Sequence, residues 1–213
     1  MSLLRDLGVI EFPTSEGQWS SVPNVEQTHI EQWQWRYRWN THLRSALLPA
    51  LEDYLDAVPR DDYGLALRLQ LWEELAIAEA QRFFEQQLAK NRFEPNWARD
   101  LIFVHRDTRP ALSIGQWRYV CWAAVRHGAS IAHRQPSSEL ATVREAIFTQ
   151  LRRRAGYVGS GTWTNCSFPP INPLPDSALG RLFTTRLARF GSAFWTEVPS
   201  AEAFVFSTGP AYA

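Results

Sequence analysis

Between residues 62 and 90, apolar side chains return every three to five positions: Leu65, Leu69, Trp72, Ala76, Ala80, Phe83 and Leu88, with Leu71, Leu75 and Phe84 widening the stripe. That spacing is the one-sided face of an amphipathic helix. No proline interrupts it, so the pattern predicts one long helix over 62–90. Shorter stripes follow. Asn96 can cap a helix over 97–104, and Ser113 can cap another with Trp117, Cys121 and Ala124 inward and Gly128 as its stop. Ser138 can open a third, on which Leu140, Val143, Ile147 and Leu151 form one stripe that ends at Gly156.

The stretch WQWRYRW at 33–39 is ambiguous, because its aromatics alternate as in a half-buried strand. Thr28 with Glu31 three residues later spells a capping box, and no Gly or Pro follows until Pro49, which favours a helix. On a helix the aromatics and leucines split into two stripes, so it would be packed on two sides, between helices of its own chain or, through Trp35 and Trp39, against a partner. Pro49 is expected to break or kink it and to open a new helix, since proline suits the first helical position.

Beyond Gly156 the pattern changes. Residues 157–168 carry Gly159, Gly161, Thr162, Trp163 and Thr164, which are turn and strand residues, and four prolines follow between 169 and 175. Asp176 can cap one more helix bearing Leu179, Leu182, Phe183, Leu187 and Phe190, and 193–198 and 202–207 read as short strands. The expected fold is therefore mainly α with an α+β tail. An extended lead-in at 1–25 precedes a body of about five helices at 26–155, with a small mixed lobe at 156–213 packed on the body as one unit.

Charge refines this picture. The net charge is zero, but residues 1–100 hold 16 acids against 10 bases, whereas 101–213 hold 6 against 12. All the bases except Lys90 are arginines. Arginine suits planar, bidentate contact with carboxylates and stacking on aromatics. Asp6 interrupts the first dozen residues, and no run approaches the roughly 18 apolar residues of a membrane span. The chain is expected to be cytoplasmic, without membrane or nucleic-acid partners.

Candidate chemistry is sparse. Cys121 and Cys166 have no Cys or His company at zinc-site spacing. Glu73, Glu74, Glu79 and Glu85 invite a di-iron bundle, but such sites need Glu-x-x-His on two helices, and the one instance here is Glu26 to His29. His127 and His133 are six apart, and His105-Arg106-Asp107 lacks the rest of a kinase signature. No metal ligand and no catalytic residue is assigned. A helical metal-dependent or hydrolytic enzyme with a pocket lined by His105, His127 or His133 stays open as an alternative, as does a binding or immunity protein.

The cluster singled out for binding is Arg152, Arg153 and Arg154, with Arg144 two turns earlier. From 144 to 189 there are seven arginines against two acids. Such cations can serve only to complement helix-end carbonyls. They can equally sit beside a strand edge that receives an extended acidic peptide, with Tyr157 and Trp163 alongside.

The run Trp35-Arg36-Tyr37-Arg38-Trp39-Asn40, followed by Leu43, Ala46, Leu47 and Leu51, resembles the opening helix of accessory subunits that partner multinuclear non-heme iron peptide-modifying enzymes, those of methanobactin maturation among them. The resemblance covers about 25 residues. It implies a non-catalytic subunit, itself without cofactor, that docks as a heterodimer on an iron-containing barrel oxidase. It further implies that the subunit holds the acidic leader of a ribosomally made precursor peptide while the enzyme oxidises a cysteine.

Overall fold

The computed structural model describes residues 10–11, 36–37, 41–59, 61–108, 110–135, 139–172 and 174–207. It divides between Val58 and Pro59 into two units.

In the first unit, strand β1 (Ile10–Glu11) pairs antiparallel with β2 (Arg36–Tyr37), Ile10 opposite Tyr37 and Glu11 opposite Arg36. The period-two alternation was thus the better guide at Arg36 and Tyr37, where the expected helix is replaced by extended backbone, and part of the expected lead-in is a strand. Thr28, Trp35 and Trp39 lie outside the described residues. Helix α1 (Thr41–Asp56) runs through Pro49 and does not restart there. Proline deprives the carbonyl four residues earlier of its partner, but Pro49 is exposed, and Leu51 and Leu55, which follow, are buried.

The second unit is built on α2 (Asp62–Lys90), the long helix read from its stripe. Its cap is Asp61, whose carboxylate accepts from the Gly64 amide at 2.9 Å. A 3-10 turn (Pro95–Asp100) leads into α3 (Leu101–Thr108), so Asn96 lies inside the turn and caps nothing there. Helix α4 (Ile114–Arg134) opens on a reciprocal capping box between Ser113 and Gln116, as expected of Ser113, and continues through Gly128 for another six residues. Gly128 is a packing position. A Cβ there would lie 2.4 Å from Ile147 Cγ1 on α5 (Leu140–Gly159), so its hydrogen lets the two helices close. Ser138 lies outside the described residues. Val143, Ile147 and Leu151 are buried, while Leu140 is 47% exposed in the first turn.

Two apolar clusters hold this unit together. The first joins the C-terminal half of α2 to α3, α4 and α5 through Phe84, Leu88, Leu101, Trp117, Ile147 and Leu151. The second joins the middle of α2 to the C-terminal segments, with Trp72 against Phe190 and Phe204 at ring separations of 4.4 and 5.4 Å.

The tail corrects the α+β expectation: the described fold is mainly helical. Residues 157–159 close the last turn of α5, and 160–168 are turn, bend and irregular backbone. Ser177, not Asp176, caps α6 (Ala178–Leu182), accepting from the Gly180 amide at 3.0 Å, and a widened π-type turn (Phe183–Leu187) follows. The two expected C-terminal strands are α7 (Ala193–Thr196) and α8 (Ala201–Ser207). The Ser200 hydroxyl accepts from the Ala203 amide at 3.3 Å, an N-cap that favours helix at this point. Phe190, Phe194 and Phe204 surround Phe183 in one aromatic cluster, which packs the short helices found where strands were expected.

Candidate functional site

Because α5 continues to Gly159, the three consecutive arginines lie within the helix, about one and a half to two turns before its end, and do not complement its final carbonyls. Successive helical residues are about 100° apart, so the three point in different directions. Arg152 approaches Asp107 of α3 at 3.7 Å, and Arg144 binds Asp100 of the 3-10 turn at 2.5 Å. Both pairs are exposed, and such pairs contribute about 0–1 kcal/mol each. Arg153 donates to Gln150 Oε1 on its own helix at 2.9 Å.

Arg154 turns toward α4 and the 160–168 segment. It is half-buried, its Nε has no hydrogen-bond partner, and its guanidinium stands 5.3 Å from the Trp163 ring. Trp163 is set by a backbone bond from its amide to the Tyr157 carbonyl at 3.1 Å, which also brings the two rings to 5.0 Å. Of the residues singled out for binding, Arg154, Tyr157 and Trp163 therefore meet, whereas Arg144 and Arg152 are drawn aside by acids. Trp35 and Trp39 lie outside the described residues. With 157–168 helical and turn, the expected strand edge is not at this position.

Helix α4 completes the surface. Tyr119 and Trp122 pack edge-on against Phe168 at 5.4 and 5.0 Å, and Arg126 stacks over Trp122 at 4.9 Å. Phe168 is held by a hydrogen bond that its amide donates to the Gly115 carbonyl at 2.8 Å. Burial, then the adjacent Cys166 thiol, pushes the Tyr119 phenol up, while Arg154 acts the other way. His127 is held below its ordinary value by burial and then by Arg154, Arg153 and Arg134. Among the described residues, no carboxylate lies within salt-bridge distance of Arg126, Arg134, Arg153 or Arg154. The result is a surface of uncompensated guanidinium charge interleaved with aromatic rings, suited to carboxylates and to flat apolar groups. Tyr119, Trp122 and Arg126 were legible as a second α4 stripe, three and four residues apart, on the side away from Trp117 and Cys121. Their meeting with Phe168 was not.

The remaining candidates are dispersed. His105 lines a cleft of about 450 Å³ with Glu73, Arg106 and Trp117, whose ring is 6.0 Å away. His133 is exposed near the end of α4. Cys121 is buried, and burial pushes its thiol far above the usual range, away from the reactive thiolate. Among the described residues no three His, Cys, Asp or Glu side chains converge on a metal-sized site, and no helix is long and apolar enough to cross a membrane. No family model, curated protein or solved structure matches the chain.

Proposed function

We propose that the chain is a non-catalytic binding subunit that receives an acidic peptide segment on the surface shared by α4, α5 and residues 160–168. The observation that supports it is that Arg126 and Arg154 stand over Trp122 and Trp163, that Arg134, Arg153 and Arg154 all act on His127, and that none of the four has a neutralising carboxylate among the described residues. Like charges held together cost free energy that an anionic partner relieves, and guanidinium with carboxylate is the strong, geometrically selective pairing. Recognition runs through side chains and not through strand addition. The likeness at 35–51 to partner subunits of iron-dependent peptide-modifying oxidases supplies the setting. There the bound segment is the leader of a ribosomally made, methanobactin-like precursor whose cysteine is modified, the enzyme is an iron-containing partner in a heterodimer, and the complex is cytoplasmic.

A fluorescein-labelled peptide alternating Glu and Leu provides the test, by fluorescence anisotropy with the purified chain in about 0.1 M salt. Changing Arg153 and Arg154 to Ala is expected to weaken binding about tenfold or more, with the wild-type affinity falling as salt rises. Equal affinity for wild type and variant rejects the reading. A hydrolytic or metal-dependent enzyme is the rival, resting on the His105 cleft. Turnover or tight metal binding by the isolated chain, abolished by His105→Ala, decides for it, and capture of a partner other than an oxidase decides for an immunity-type protein.

A further inference from the structure

A second site, separate from the cationic surface, lies in a cavity of about 210 Å³ between α2, α4 and the proline-rich segment, lined by Glu79, Arg82, Phe83, Arg118, Leu174 and Trp195. Arg82 is already taken: its guanidinium binds Asp176 at 2.6 Å. Arg118 is not. Its guanidinium is 4.5 Å from the Phe83 ring centre and 5.7 Å from that of Trp195, its Nε is buried without a hydrogen-bond partner, and no carboxylate lies within 4.0 Å of it among the described residues. Across the cavity the Glu79 carboxylate accepts from the Ser177 hydroxyl at 3.5 Å, with Arg82 and Arg118 near enough to act on its charge. A buried donor and a carboxylate of opposite charge thus face one space without closing on each other, and leaving such groups unmade is costly.

We propose that this cavity binds a free α-amino acid with an apolar side chain. Its carboxylate meets Arg118, its ammonium meets Glu79, and its side chain rests on Phe83, Leu174 and Trp195. Three features select this class. Arg118 and Glu79 are of opposite sign and form no ion pair with each other, which suits a zwitterion better than a simple anion. The walls beyond them are aromatic and aliphatic. The volume falls below the roughly 300 Å³ at which drug-sized ligand pockets begin. Burial pushes the Glu79 carboxyl up, with Arg82 and Arg118 opposing, and an ammonium group beside it would favour the ionised form.

The test is thermal unfolding and calorimetry of the full chain with L-leucine and L-phenylalanine. Controls are 3-methylbutylamine, which lacks the carboxylate, and 4-methylpentanoate, which lacks the ammonium. At least one amino acid is expected to raise Tm by several degrees at saturation, with neither control doing so. Arg118→Met and Glu79→Gln are each expected to weaken binding tenfold or more. Leu174→Trp, at a position 42% exposed, should fill the cavity and abolish the shift. No shift with either amino acid, equal shifts with the controls, or full binding by the Leu174 variant overturns the assignment. None of these outcomes bears on peptide binding at the arginine surface.

Discussion

Gly128 and Ile147 carry the tightest approach between α4 and α5. Gly128→Ala gains up to about 1 kcal/mol of helix propensity but drives a methyl group into Ile147 Cγ1 and Cδ1, at 2.4 and 2.7 Å. Overpacking of this kind costs about 1–3 kcal/mol, so the variant is expected to be less stable by about 1 kcal/mol in urea unfolding. Adding Ile147→Ala should make the pair cost less than the sum of the singles, since the clash vanishes with the side chain. His127 gives a pH signature at the same scale. Its imidazole is held below the ordinary 6.5, so the unfolded chain takes up the proton first on acidification. Stability contributed by neutral His127 is therefore present above that value and is lost as pH falls through it. Denaturation at pH 8 and 5.5 should show His127→Gln losing less stability than wild type, and His127 should take up a proton as an acidic peptide binds beside it and offsets the arginine charge. A wild-type and variant difference that is flat with pH contradicts the charge arrangement described.

At the level of elements, the decisive fact is the length of α5. Ending at Gly156 would place the arginines at the helix C-terminus, where they complement the carbonyl charge and need no ligand. Continuing to Gly159 places them mid-helix and turns Arg154 onto Trp163. Gly156 distinguishes the two. It lies inside the helix, is exposed, and a Cβ there would meet nothing within 4 Å. Gly156→Ala is therefore expected to raise stability by about 0.5–1 kcal/mol, whereas a glycine in a left-handed stop would lose stability on the same change. The glycines also explain why sequence placed helix ends too early. Gly128 and Gly156 look alike in one dimension, but one is kept for close packing and the other is simply a tolerated interior residue.

Across the second unit as a whole, the long α2 is the common wall. Its C-terminal half packs with α3, α4 and α5, and its middle packs with the aromatic tail. The arginine surface lies on α4 and α5, and the amino-acid cavity lies between α2, α4 and the tail. Loss of peptide binding on changing Arg153 and Arg154, with retained amino-acid binding, is the expected independence of the two. A measurement of both ligands on that one variant checks it.

The stripe from Leu65 to Leu88, the capping box at Ser113 and the charge imbalance after residue 101 were set by local chemistry, so the helical class, the bounds of α2 and the arginine richness followed from the chain alone. Helix ends at glycine, the helical tail and the sorting of neighbouring arginines did not. Each depends on what a side chain meets from elsewhere in the chain: Ile147 against Gly128, Trp72 against Phe204, Asp107 drawing Arg152 away while Trp163 receives Arg154. Propensity acts within a few residues, while burial and charge pairing act across the fold, and where the two compete, as at Gly128 and in the tail, packing wins.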